Sequence, residues 1–180
     1  MSSKSNQLFR LVLASMFLAL ALVLPFLTGQ IPQFGRALLP MHFPVLLCGF
    51  FCGPWYGLAV GLIAPLLRFV LFGMPMLVPD GISMCFELAA YGVVSGALYR
   101  AMNKKPLGVY VSLIAAMLAG RLVWAAARVV FYGLGKAPFG WAAFTAGAFT
   151  NAISGIILQL VLIPPLVILL TKAVPRLRQI

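Results

Sequence analysis

Residues 107–132, LGVYVSLIAAMLAGRLVWAAARVVFY, form an apolar run of membrane-spanning length that carries two arginines, Arg121 and Arg128. At about 1.5 Å of rise per residue, such a run crosses a hydrocarbon core of about 30 Å as a single helix. The arginines are seven residues apart with Trp124 between them, so helical periodicity sets all three on one face. The two charges then lie about 10 Å apart along the axis. A guanidinium at mid-bilayer costs at least about 2.5–3.5 kcal/mol, which turns that face away from lipid and into a bundle interior or a watery cavity. The working reading is a membrane bundle whose interior receives a small anionic solute.

The rest of the chain fits around that helix. It has 180 residues, 63% hydrophobic and 8% charged, whereas average soluble domains carry about 25% charge. The expected fold is an all-α membrane protein, a compact bundle of six transmembrane helices in one integral domain over residues 1–180. The helices are expected near 8–28, 41–53, 55–73, 81–102, 108–133 and 140–171. Only short loops remain, with no room for a soluble catalytic or nucleotide-binding domain.

The net charge of +11 would point to nucleic acid in a soluble protein, but here its placement is topological. With the N-terminus in the cytoplasm and six crossings, Lys4, Arg10, Arg100, Lys104, Lys105, Lys172, Arg176 and Arg178 all fall on the cytoplasmic side. Only Arg36 and Lys136 fall outside. Both termini are therefore expected in the cytoplasm. No basic patch is interleaved with surface aromatics, so no nucleic-acid partner is expected.

The run Leu8 to Leu27 follows a basic start, as a signal peptide would, yet no small-x-small cleavage site follows it, and it reads as a retained first helix. Ser15 and Ala19 are one turn apart and make a smooth stripe on which another helix can pack. Thr28 to Pro40 is an outer loop, long enough to be a gate. Two apolar arms, Met41–Cys52 and Trp55–Phe72, form a tight hairpin turning at Gly53 and Pro54 on the cytoplasmic face. Pro44 and Pro65 are expected to kink these arms, while Gly49 with Gly53 and Gly57 with Gly61 allow close approach. Arg68 falls in the outer leaflet, where it either snorkels outward or meets an acid.

Asp80 reads as a cap for the next helix, in which Glu87 is the one acidic residue within a span. A buried carboxylate is protonated or paired, and by depth Arg68 and Arg128 are its expected partners. In the sixth helix, Ala143, Gly147 and Asn151 follow one another turn by turn, with Gln159 two turns below and Pro164 and Pro165 distorting the cytoplasmic half. Asn151 and Gln159 read either as interhelical hydrogen bonds or as ligand contacts.

Three intramembrane arginines against one glutamate leave a formal surplus of two positive charges towards the outer half, which calls for an anion. An arginine fork suits a carboxylate or phosphate, and Trp124, Tyr91 and Phe86 suit an apolar body. Enzyme chemistry has little support: there is no phosphate-cradling loop, no HExxH and no paired carboxylates. The one histidine, His42, is expected near the outer surface with Ser83, and without a carboxylate to orient it. Cys48, Cys52 and Cys85 lie in apolar runs and read as small helix residues rather than a disulfide framework or a zinc site. No metal and no cofactor is expected.

Taken over its whole length, the chain resembles the substrate-binding S components of energy-coupling factor (ECF) vitamin transporters. The likeness is carried by LASMFLALALVLPFL at residues 13–27, by LLPMHFPVLLCGFFCGPWYGLAVGLIAPLLRFVLFGMP at 38–75, and by GAFTNAISGIILQLVLIPPL at 147–166. Met41, His42, Phe43 and Pro44 occupy the place where that family opens its second helix with a polar residue and a proline. Its first helix carries an Ala-x-x-x-Ala pair for docking, matched here by Ser15 and Ala19, the serine being a departure. The resemblance implies a multi-pass protein of a bacterial cell membrane. Its partners would be a transmembrane coupling subunit and two cytoplasmic ATPase subunits, where ATP is hydrolysed, and the protein would tip over in the membrane to release its ligand inward. The ligand would sit in the outer half, where Arg128, Glu87 and Asn151 fall, with Arg68, Arg121, Trp124, Tyr91 and His42 as further candidates. The charge surplus favours an acid such as pantothenate or an acidic or phosphorylated vitamin precursor. A neutral vitamin, or a structural subunit or small channel without a ligand, stays open.

Overall fold

The computed structural model describes residues 3–28, 37–134, 145 and 152–179. Its helices are α1 (Ser3–Val23), α2 (His42–Cys52), α3 (Pro54–Phe72), α4 (Ile82–Ala101), α5 (Pro106–Leu134), α6 (Ile153–Ala173) and a short α7 (Pro175–Gln179). Among the described residues, five helical stretches are long and apolar enough to cross a membrane, and α2 is shorter. At 11 residues, α2 rises about 16 Å, half of a hydrocarbon core. Against the six expected crossings, the described residues hold five helices of spanning length and one of about half that length. The expected start of the sixth helix, from residue 140, and the body of the outer loop lie outside the described residues.

One end of the bundle is fixed by charge. The Arg100 guanidinium donates to the Cys52 carbonyl at 2.9 Å, which puts the α2–α3 hairpin beside the α4–α5 turn. Arg176 donates to the Ser5 hydroxyl at 3.1 Å and lies 4.2 Å over the Phe9 ring, bringing α7 to the start of α1. The hairpin itself turns at Gly53, whose φ of +99° suits glycine and whose N–H donates to the Gly49 carbonyl at 3.0 Å. Pro54 then opens α3 at a position that needs no N–H.

Buried α2 is the centre, packed against α1, α3, α4 and α6, with Phe43 alone among its residues partly exposed. Pro44 does not kink it as expected. It is the third residue of the helix, where a backbone N–H would have no intrahelical partner. Pro65, Pro164 and Pro165 are likewise carried inside continuous helices. A glycine seam binds α2 and α3 to α4: a Cβ on Gly96 would stand 2.7 Å from the Gly49 carbonyl oxygen, and one on Gly57 2.7 Å from that of Gly92. Backbones approach this closely only because no side chain intervenes.

Candidate functional site

The half-length of α2 determines where its first residue sits. His42 lies about 15 Å above the charged end, near mid-membrane rather than at the outer surface as its sequence position suggested, and it is fully buried. The chain reaches that depth through residues 37–41, and the backbone of Ala37 and Leu38 rests on the start of α6. A Cβ on Gly155 would stand 2.7 Å from the Ala37 carbonyl oxygen.

At this height a carboxylate is shared. Glu87 Oε1 lies 2.8 Å from Arg121 Nη1 and 3.5 Å from His42 Nε2, with the three residues at most 5% exposed. His42 therefore does have a carboxylate partner, contrary to expectation, because a mid-membrane start of α2 puts it level with Glu87. Tyr91, one turn along α4, reaches Glu87 with its hydroxyl and packs edge-on to the His42 ring at a centroid distance of 5.2 Å. Gly120 makes space for that phenol: a Cβ there would run into the Tyr91 ring. Gln159 on α6 stands 14 residues above Ala173, hence about 21 Å up and at the level of Arg121.

Geometry leaves this layer under-satisfied. Among the described residues, Arg121 Nε and Nη2, both ring nitrogens of His42, and both amide atoms of Gln159 are buried without a hydrogen-bond partner. The close approaches of Glu87 Oε1 are ionic and lack hydrogen-bond alignment. A buried polar group left unmade costs about 1–3 kcal/mol, so this layer carries a substantial electrostatic cost. Arg121 also lines a recess of about 140 Å³ between α5 and α6, whose other walls are Ile114, Met117, Leu118, Ile156 and Leu160.

Arg128 forms the next rung outward, paired with Asp80 and lying over the Trp124 ring at 5.1 Å. The expected partners of Glu87, Arg68 and Arg128, are thus replaced by Arg121. Asp80 makes no cap hydrogen bond to α4 and serves as the counter-charge of Arg128. Ser83 gives its hydroxyl to the Pro79 carbonyl at 2.6 Å.

Arg68 faces the other way. It is buried, donates to the Leu22 carbonyl at 2.6 Å, and lies 5.3 Å from the centroids of both Phe26 and Phe72. Pro25 lacks the N–H that a tightening last turn would offer to Leu22, and Arg68 supplies a donor there. Replacing Arg68 by leucine should cost about 1–3 kcal/mol through the orphaned carbonyl, read as a lower thermal midpoint in detergent. Phe86 is half exposed on the outer side of α4, in a separate apolar groove with Val123, Ala127 and Val130. Cys48, Cys52 and Cys85 are free and buried. Asn151 lies outside the described residues.

A family model described as the ECF transporter, substrate-specific component, matches residues 9–167. The chain belongs to this family. No curated protein and no solved structure matches it. As a substrate-specific component it is a multi-pass membrane protein that binds substrate and associates with an ECF module, which accounts for helices this apolar around a polar interior. On α1 of this component, Ser15 and Ala19 both lie exposed, and the Ser15 hydroxyl is turned back onto the Leu11 carbonyl at 3.0 Å. That leaves a smooth, lipid-facing strip.

Among the arginines of the component, Arg128 gives the cleanest variant. The Asp80 side chain is 52% exposed against 13% for Arg128, so removing the arginine leaves a half-exposed carboxylate, at a cost of about 1 kcal/mol or less. Arg128→Ala should therefore leave the thermal midpoint nearly unchanged. Loss of ligand binding in that folded variant would identify Arg128 as a ligand residue.

Proposed function

We propose that this chain is the high-affinity capture subunit of an ECF-type ABC importer for an acidic micronutrient, a pantothenate-like carboxylate or an acidic or phosphorylated vitamin precursor. The observation that carries this reading is Arg121. It is 5% exposed, with one nitrogen on Glu87, and its Nε and Nη2 have no partner among the described residues. Beside it is an apolar recess of about 140 Å³, smaller than the about 300–1,000 Å³ of usual ligand sites, which takes only part of the apolar body of a small acid. His42, Glu87, Tyr91 and Arg121 form the floor of the site and Arg128 and Trp124 its outer rim, with Asn151, outside the described residues, kept as a further candidate. Arg68, turned to α1, is better suited to structure.

The charged end of the bundle fits the cytoplasm by its excess of Lys and Arg. The strip of Ser15 and Ala19 fits a transmembrane coupling subunit, with ATP hydrolysed by two cytoplasmic ATPase subunits and no catalysis in this chain. One observation favours a neutral vitamin instead: Glu87 offsets Arg121 and Asp80 offsets Arg128, which leaves Arg68 as the one uncompensated arginine of the three. Uptake of radiolabelled pantothenate, nicotinate and riboflavin into cells expressing this chain with and without an ECF module tests both. Accumulation of an acid only when the module is present supports the proposal, riboflavin uptake alone supports the neutral reading, and uptake without the module contradicts an ECF-driven importer.

A further inference from the structure

The Glu87 carboxylate stands between two cationic partners of different kinds. Arg121 is permanently charged and is 2.8 Å away. His42 is charged only when protonated and is 3.5 Å away, with neither ring nitrogen hydrogen-bonded among the described residues. With His42 neutral, Glu87 and Arg121 cancel and the buried layer carries no net charge. An acid arriving at the free nitrogens of Arg121 changes that sum to minus one, inside a layer where an unbalanced charge costs several kcal/mol.

We propose that the solute anion binds together with one proton, taken up by His42, which then holds Glu87 while Arg121 turns to the ligand. This inference rests on the acidic-substrate reading above. The balance closes: one anion and one proton enter from the medium, the proton forms an N–H bond at Nε2, and the Nε2–H donates to Glu87 Oε1. Glu87 exchanges Arg121 for the imidazolium and keeps the Tyr91 hydroxyl. The layer is neutral before and after.

The neighbouring groups leave His42 as the acceptor of that proton. On α4 the facing groups are Glu87 and Tyr91 and on α5 Arg121, while the buried Gln159 of α6 is uncharged and the charges of α1, Lys4 and Arg10, lie at its start by the charged end. The arginine of α3, Arg68, is committed to Leu22. The Asp80–Arg128 pair is seven residues outward of Glu87 and Arg121, about 10 Å away, with Asp80 just before α4, and is balanced in itself. His42 is the group whose ordinary titration falls near neutral pH.

Isothermal titration of the full chain in detergent with pantothenate, biotin and nicotinate, each in phosphate and in Tris at one pH, reads the protons taken up per ligand bound. For the acid that binds, the expected result is about one proton, with affinity weakening about tenfold per pH unit on the alkaline side. In His42→Gln the uptake at the same pH should fall towards zero. Binding of an acid with no proton uptake and a pH-independent affinity overturns the proposal, as does an uptake that His42→Gln leaves unchanged. Should that variant not fold, the slope of the native affinity against pH still decides. If none of the three acids binds, the acidic-substrate reading itself fails, an outcome distinct from binding without a proton.

Discussion

Arg121→Met should lower stability by about 3–5 kcal/mol, because it leaves the Glu87 carboxylate buried without its principal counter-charge. Glu87 is 3% exposed and its other close partner, His42, is charged only when protonated, so neither solvent nor a standing second cation compensates. The double variant Glu87→Gln/Arg121→Met removes both charges at once and should recover most of that loss, since a neutral pair of similar volume carries no desolvation penalty of comparable size. Thermal unfolding in detergent measures both variants. Binding separates structure from function: the recovered double variant, lacking the free guanidinium nitrogens, should still fail to hold an acid. If it binds as well as the native chain, Arg121 is a structural counter-ion.

Gly92→Val should be at least as damaging, by about 4 kcal/mol or more, by overpacking a backbone contact. A Cβ on Gly92 would stand 2.7 Å from the Gly57 Cα, and what it meets is backbone, which cannot swing aside as the end of a side chain can. The seam joins α3 to α4, the helix that carries Glu87 and Tyr91, so the variant should fail to give a monodisperse peak on size exclusion in detergent. A Gly92→Val protein that purified with native thermal stability would show that the helices have room the packing does not suggest.

Helix identity was legible from apolar run length, and the Gly53–Pro54 hairpin and the glycine faces from residue type alone. What depth counting misjudged was register. Glu87 precedes Lys104 by 17 residues and Arg121 follows it by 17, while Asp80 and Arg128 stand 24 residues to either side. Two antiparallel helices of equal rise folded about that turn must bring these residues level, so both ion pairs could be read from the sequence once the turn is taken as the origin. Treating Asp80 as a cap removed it from consideration and inflated the apparent positive surplus.

His42 was misplaced for a different reason. Its position after a long outer loop implies the outer surface, but α2 is 11 residues long and begins halfway down. Among the described residues, the contact of Ala37 and Leu38 with Gly155, a long-range packing event with no local signature, accompanies that depth. The role of Arg68 depended similarly on a distant carbonyl, that of Leu22, exposed by the missing N–H of Pro25.

The most direct test of the central claim, that the mid-membrane layer around Arg121 holds an acidic solute, is native mass spectrometry of the chain purified from cells grown in rich medium. An acidic micronutrient should be retained at close to one per chain, and lost from the Glu87→Gln/Arg121→Met variant. Retention of a neutral vitamin, or of phospholipid alone in both proteins, would contradict that claim.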